Sequence, residues 1–434
     1  AGARARALRC GPEPLSCSPA PRAQQCSSDP VLAGAPERQR ARCPLLVSRI
    51  RRHAGPMSPT SQSSLPSLPS LSLLPCLLLA HLACGPWAAT GQERPQRYLI
   101  TSSPGMGNVY YAGLPSFHDL TLPPAERPVS QASVLIDGFG SRCKGWSCNE
   151  ASDLGLRAPR GLALHQACDG RAVLYVSDTE AENIYAYTLT GKWGSLQVGS
   201  QRRVRMGVPG GAPWLAVDGL GNLFYTTKKA GLVEMISAES LAHRASPEPV
   251  TLYSAAEFGA AVSGPAGVVA DNFYVYWANQ PRGEVGAFGT LVRAPERSLA
   301  RTAKREAAGR LPPRPQALVG ASDSSTATAS NICLARENLF FTGTGSGSTH
   351  SLFATKIRGG SVAEISNSFT RASGCVYDDE TTLYVADAGD DAIYSLPANF
   401  ASLRAMRHLR KAVAVPEPHQ LAIFSPGRPI EECG

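Results

Sequence analysis

Between residues 97 and 426 the chain repeats one pattern of apolar and polar positions. A turn residue leads into a small, apolar run, as in Pro159-Arg-Gly-Leu-Ala-Leu164, Pro213-Trp-Leu-Ala-Val-Asp218 and Pro265-Ala-Gly-Val-Val-Ala-Asp271. Asn331-Ile-Cys-Leu-Ala335, Ser373-Gly-Cys-Val-Tyr-Asp378 and Pro418-His-Gln-Leu-Ala-Ile423 continue the series. Aligning Leu162, Leu215, Val268, Cys333, Cys375 and Leu421 gives spacings of 53, 53, 65, 42 and 46 residues. A period in this range marks a repeat architecture. A second run follows each start after a short turn: Leu174-Tyr-Val-Ser-Asp178, Leu223-Phe-Tyr-Thr-Thr227, Val275-Tyr-Trp-Ala-Asn279, Leu339-Phe-Phe-Thr-Gly343 and Leu383-Tyr-Val-Ala-Asp387. β-Branched and aromatic residues dominate these runs, as strands buried between stacked sheets require. Third runs such as Ile184–Gly191 and Ile393–Leu396 come next, then weaker fourth ones at Val250–Tyr253, Ala317–Gly320 and Val413–Val415.

The sixth start, at Pro418, has only sixteen residues behind it, too few for three more strands. The missing strands stand at the other end: Tyr98–Ser102 matches the second type, Asn108–Gly113 the third and Val134–Ile136 the fourth. The strand order therefore fits a circle whose last blade is shared by the two termini. Radial closure leaves only short outer edges exposed, whereas a solenoid needs caps at both ends. The fold expected is all-β, a six-bladed β-propeller of four-stranded antiparallel blades, with its longest insertion at residues 289–331.

Leu174-Tyr-Val-Ser-Asp-Thr-Glu-Ala-Glu-Asn-Ile-Tyr185 and Leu383-Tyr-Val-Ala-Asp-Ala-Gly-Asp-Asp-Ala-Ile-Tyr394 resemble NHL repeats, while Val275–Asn279 and Leu339–Gly343 are similar to YWTD repeats of lipoprotein-receptor type. That resemblance implies a superfamily holding both binding modules and SMP-30/gluconolactonase-like hydrolases. The hydrolases place a divalent cation on a Glu, Asn and Asp set in the central channel.

Charge divides the chain. Residues 1–56 carry ten arginines against Glu13, Asp29 and Glu37, which accounts for +7 of the formal net charge of +8. The part from Gln92 onward is close to neutral, so no nucleic-acid partner is expected for it. The basic leader reads either as a disordered arm or as sequence foreign to the native protein. From Met57 a Ser/Pro-rich run leads into the apolar stretch Leu71–Ala83, shorter than the roughly 20 residues a spanning helix needs. With small residues at Ala89 and Gly91, residues 57–91 read as a secretory signal peptide, the alternative being a signal anchor. Secretion is the localisation expected, with no transmembrane span in the mature chain. Six of the 12 cysteines lie beyond it, at Cys143, Cys148, Cys168, Cys333, Cys375 and Cys433. Cys143 and Cys148 are the closest pair and the expected disulfide. Cys333 and Cys375, taken as equivalent positions on neighbouring blades, are expected to lie beyond disulfide reach and to pack as small apolar residues.

Ligands of propellers sit over the channel, near the starts of the inner strands. Two positions before the aligned apolar residues stand Arg160, Pro213, Ala266, Asn331, Ser373 and His419. Arg160, Asn331, Ser373 and His419 are the channel-facing binding candidates. Asn331 alone matches the hydrolases' ligand types. The hard cation expected at such a site, Ca²⁺, wants several oxygen ligands, so no cofactor is assigned. The six histidines of this part show neither HExxH nor paired zinc spacing, and there is no G-x-S-x-G elbow. Asp378–Glu380 and Asp387–Asp391 read as turn chemistry. Trp214 and Trp277 read as packing between blades. Arg301, Lys304 and Arg305, in the long loop, are candidates for contact with an acidic partner. The function expected is that of a non-catalytic extracellular module, monomeric, holding a protein or glycan on one face; the alternative is a divergent metal-dependent hydrolase.

Overall fold

Each apolar run becomes a strand, and the strands hydrogen-bond into six small sheets. The structure, a computed structural model, describes residues 96–114, 128–138, 155–167, 170–192, 195–244, 246–280, 289–296, 314–320, 323–326, 328–344, 349–398, 401–406 and 409–426. All lie in one unit, Trp87–Gly434. The first blade comprises Pro159–Gln166, Ala172–Asp178, Asn183–Lys192 and Ser195–Arg205. The second comprises Leu215–Val217, Leu223–Thr227, Leu232–Ile236 and Val250–Ser254, and the third Pro265–Ala270, Tyr274–Asn279, Thr290–Pro295 and Gln316–Val319. Asn331–Ala335, Asn338–Thr344, His350–Lys356 and Ala363–Phe369 form the fourth; Ala372–Tyr377, Thr382–Asp387, Ala392–Pro397 and Arg410–Ala414 the fifth. The architecture is a six-bladed β-propeller.

The sixth blade is built from both ends of the repeat. Leu421–Phe424 is its inner strand and pairs antiparallel with Tyr98–Ser103 in the register Tyr98↔Phe424 to Thr101↔Leu421. Asn108–Gly113 and Ser133–Ile136 complete it. One addition was not legible in the sequence. Ser130–Gln131 leaves this blade and pairs in parallel with Arg410–Ala414, giving the fifth blade a fifth strand.

The core lies in the six wedges between blades, because alternate residues of each strand face opposite neighbours. Leu162, Leu174 and Val176 face back toward the sixth blade, whereas Ala163 and Tyr175 face forward to the second. Trp277 and Tyr253 stack in the wedge between blades two and three, centroids 5.4 Å apart, and the indole Nε1 donates to the Ala261 carbonyl at 3.0 Å.

This alternation corrects the reading of the cysteines. In the fourth blade the residue facing backward is Ile332, which packs with Tyr276 of the third blade, so Ile332 is the counterpart of Leu162. Cys333 stands one residue later. In a strand of period two, that single step turns its side chain to the opposite face. It faces forward as Cys375 faces backward, and the two form a disulfide with Cα atoms 5.9 Å apart. They are partners across a wedge, not equivalent positions. Cys143, Cys148, Cys168 and Cys433 lie outside the described residues.

Candidate binding face

At the start of the inner strands the blades come into backbone contact. A Cβ on Gly267 would lie 2.7 Å from the Asn331 Cα of the next blade, and one on Gly161 2.8 Å from the Leu215 Cγ. Gly374 is likewise held against His419 and Gln420. Glycine is used here because the next strand occupies the side-chain space. At the same level the sixth blade carries Gln420, whose buried amide crosses to two other blades. Its Oε1 accepts from Leu162 N and its Nε2 donates to Leu215 O, both at 2.9 Å. The inner strands thus meet through a side chain that uses both halves of its carboxamide.

A set of hydroxyls fastens neighbouring blades just above. Ser102 Oγ donates to Arg160 O at 2.7 Å, Thr226 Oγ1 to Ala266 O at 2.5 Å and Thr342 Oγ1 to Ser373 O at 2.8 Å. Each comes from the second strand of one blade and reaches the inner strand of the next. The carbonyls of Arg160, Ala266 and Ser373 are thereby spent on the ring, while their side chains differ. Ser373 Oγ donates to Pro418 O at 2.8 Å, tying blade five to blade six. The Arg160 side chain is exposed. Asn331 is buried, one register step past the channel position held by Ser330, and its Nδ2 has no partner. His419 Nδ1 is shut off from solvent without a partner. Burial, then the Arg160 charge, pulls the imidazole down to about 4 against a hydrogen bond that it donates to the Arg160 backbone, with Arg371 adding to the shift. His419 is therefore neutral throughout the physiological range.

The buried carboxylates of this face are engaged by the backbone. Asp178, fully buried at the end of a second strand, accepts from Arg157 N at 2.6 Å, Ala158 N at 3.1 Å, Glu180 N at 3.1 Å and Ala181 N at 3.0 Å. Asp387 accepts from Thr370 N and Arg371 N, both at 2.7 Å, and from Gly389 N at 3.0 Å. Both latch the loop entering the inner strand to the next turn. The turn reading of Asp387 is right in kind, but the carboxylate is buried rather than solvated. A channel cation of the hydrolase type does not fit these residues: the two acids are saturated by N–H donors, and the channel positions offer a guanidinium, a neutral imidazole and hydroxyls.

Beside the ring mouth the same face opens into a cleft of about 470 Å³, lined by Pro209, Gly210, Pro213, Trp214, Lys228 and Lys229. One wall is the loop entering the second blade. Val208 N donates to Glu182 O at 2.9 Å, Gly211 N to Val208 O at 2.8 Å and Gly210 N to Glu182 Oε1 at 3.1 Å. Gly211, at φ +72°, lies so close to Thr179 that no side chain fits there. The other wall is the hairpin after Leu223–Thr227. Lys228 Nζ donates to Gln280 Oε1 at 2.6 Å, and Lys229 is exposed. Trp214 packs one side on the wedge between blades two and three and leaves the rest half-exposed in the cleft. Of the channel positions read from the sequence, Pro213 lines this cleft. Nothing in the strand pattern marked it, because it is made by a loop and a turn.

The opposite face carries its own acids. Asp218 Oδ1 accepts from Leu220 N and Asn222 N, and the Asn222 Nδ2 donates to Asp218 Oδ2 at 2.7 Å and to Glu296 Oε1 at 3.2 Å. Burial, then the charge and hydrogen bond of Asp218, pushes the Glu296 carboxyl up to about 7. A Glu296 carboxyl that keeps its proton can donate it to the Asp218 carboxylate, which is why the pair favours the neutral form. Arg301, Lys304 and Arg305 lie outside the described residues. No helix among the described residues is long and apolar enough to cross a membrane.

No protein-family model matches the chain, and no curated protein matches it. Among solved structures it is similar to a putative 6-phosphogluconolactonase from Bacteroides fragilis, at 11% identity and a TM-score of 0.44, over 77% of this chain and 99% of that one. It is also similar to a gluconolactonase from Xanthomonas campestris, at 12% identity and TM-score 0.39, over 62% and 83% of the two chains. Virginiamycin B lyase from Staphylococcus aureus follows at 13% identity and TM-score 0.37, over 60% and 73%. Likenesses this distant carry no argument about activity.

Proposed function

We propose that the chain is an extracellular, non-catalytic propeller of NHL/YWTD-like type that holds a protein or glycan ligand on the face where its inner strands begin. One observation carries the reading: the buried acids beside the inner strands, Asp178 and Asp387, are spent on backbone amides, and the ring mouth presents Arg160, neutral His419 and a lysine-flanked cleft. Such a surface suits capture of an anion better than general-base or metal chemistry, which needs free carboxylates or imidazoles. The Cys333–Cys375 disulfide is in keeping with an oxidising compartment.

The test uses the full chain recovered from culture medium. Its divalent-metal content, its turnover of a lactone and ester panel and its binding to arrays of extracellular proteins and glycans are measured together. The reading expects saturable binding that falls at least ten-fold in Lys228→Glu/Lys229→Glu, without turnover. Stoichiometric divalent metal with lactone or ester turnover would instead establish a divergent hydrolase. Charge reversal of Arg301, Lys304 and Arg305 measures the share of the long loop; unchanged capture removes it from the interface. N-terminal mass analysis of the same material locates the cleavage expected near Gln92.

A further inference from the structure

The cleft lining pairs two cations with an indole and two proline rings. Pro209, Pro213 and Trp214 form an apolar floor and Lys228 and Lys229 stand along one side; among the described residues the lining carries no acid, and the neighbouring Glu182 accepts from Gly210 N. The walls are prepared before any ligand arrives. Glu182 holds the 208–211 loop by its carbonyl and carboxylate, Thr179 backs Gly211, and Gln280 fixes Lys228. Rigid rings lose little conformational entropy on binding, so a floor of this kind contributes more per contact than a flexible one. A volume of about 470 Å³ is that of a small ligand pocket and takes two or three side chains.

The chemistry also selects among anions. Sugar hydroxyls both donate and accept, and are recognised by carboxylates, which accept, and by carboxamides, which do both. The lining offers ammonium donors and apolar rings, while the nearby Glu182 carboxylate and Gln280 carboxamide are engaged by Gly210 N and Lys228 Nζ. That combination matches a carboxylate next to an apolar side chain. We propose that this cleft docks an acidic peptide segment of a partner protein, its carboxylates on Lys228 and Lys229 and a neighbouring apolar side chain on Trp214. The proposal rests on the binding-module reading and names its ligand class.

The experiment measures fluorescence anisotropy of three labelled, end-capped octapeptides against the full secreted chain: one alternating Glu and Leu, its Gln counterpart and its Lys counterpart. A heparin hexasaccharide serves as the sulfated-glycan probe. The Glu peptide is expected to bind saturably, at least ten-fold tighter than the Gln peptide, with affinity falling as salt rises. Lys228→Glu/Lys229→Glu and Trp214→Ala each weaken it ten-fold or more, and Trp214→Phe restores most of the loss. The double variant lies in a turn, where Lys228 donates to Gln280 and Lys229 is exposed, so it remains informative should Trp214→Ala disturb the packing behind it. Leu220→Ser/Phe273→Ser, on the opposite face, leaves binding unchanged. Equal binding of the Glu and Gln peptides, no binding up to millimolar concentration, or insensitivity to the lysine reversal each overturns the proposal. Tighter binding of the hexasaccharide through the same lysines also overturns it, in favour of a glycan. Should the peptides fail while the chain still captures array ligands, only the cleft assignment falls; loss of both ends the binding reading as well.

Discussion

Replacing Asp178 by alanine asks directly whether the acids of the ring mouth are latches or free chemical groups. The carboxylate receives four backbone N–H donors, three on Oδ1 and the Arg157 amide on Oδ2. A hydrogen bond to a charged group contributes about 1.5–3 kcal/mol net. The four are not additive, since Glu180 is exposed and its amide recovers water when the acceptor is lost. The Arg157 and Ala158 amides, which position the entry to the first inner strand, set the main cost. Asp178→Ala should therefore lose about 3–5 kcal/mol. Asp178→Asn keeps one acceptor oxygen but turns an amide N–H toward a donor, and should lose about half as much, roughly 1.5–3 kcal/mol. Against a typical domain stability of about 5–15 kcal/mol, either loss is easily read. The assay is the urea midpoint of the full chain, followed by circular dichroism with and without millimolar Ca²⁺. The reasoning is refuted if both variants unfold at the wild-type midpoint. It is equally refuted if Ca²⁺ raises the wild-type midpoint and not that of Asp178→Asn, since the carboxylate would then serve a cation.

Three further outcomes follow from the same structure. The disulfide joins residues 42 apart in sequence, so Cys333→Ser/Cys375→Ser should cost about 4 kcal/mol on the chain-entropy scale, read as a lowered urea midpoint under non-reducing conditions. Gln420→Ala strands the Leu162 amide and the Leu215 carbonyl, two buried groups in different blades; a loss of about 2–4 kcal/mol is expected in the same assay, from the cost of unsatisfied buried groups. For Glu296 the folded-state value lies above the ordinary carboxyl value, so the folded chain holds a proton that the unfolded chain has released. Stability should fall as pH rises from the ordinary Glu range through about 7, and Glu296→Gln should flatten that slope. His419 acts in the opposite sense, since its lowered value costs stability as pH falls below the ordinary histidine range. The difference between Glu296→Gln and wild type isolates the carboxyl; an unchanged slope would show that it ionises normally.

The ring was legible because each strand type has its own grammar, and the incomplete sixth repeat found its missing strands at Tyr98–Ile136. The fourth blade was read one residue out of step for an identifiable reason. In blades one, three and five a glycine, at Gly161, Gly267 and Gly374, fixes the register where inner strands touch. The fourth blade has Asn331 there, so alignment on apolar character slid from Ile332 to Cys333 and hid the disulfide. The parallel pairing of Ser130–Gln131 was invisible because two residues carry no period. The cleft was invisible as well. Its residues come from a Pro/Gly loop and a lysine turn, and what makes them a site is their juxtaposition across a blade boundary. Arg160, Asn331, Ser373 and His419 were read together as channel-facing from the strand pattern, and the structure gives them different surroundings: Arg160 is exposed, Asn331 is buried one register step past the channel position, Ser373 donates to the Pro418 carbonyl and His419 lies against the Arg160 backbone.

The closure of the ring by its two ends is the claim on which the binding face depends, and a pair of truncations tests it. Stopping after Glu417 removes Gln420 and the strand Leu421–Phe424. That exposes the Tyr98–Ser103 edge and deletes Leu421 and Phe424, both buried and each worth about 1.5–3 kcal/mol. Stopping after Pro426 leaves the blade intact. Thermal unfolding of the two secreted chains, followed by circular dichroism, should show a cooperative transition at the wild-type midpoint for the longer one. The shorter one should be retained in the cell or unfold without cooperativity. A shorter chain that is secreted and melts with the longer one would contradict the closed ring.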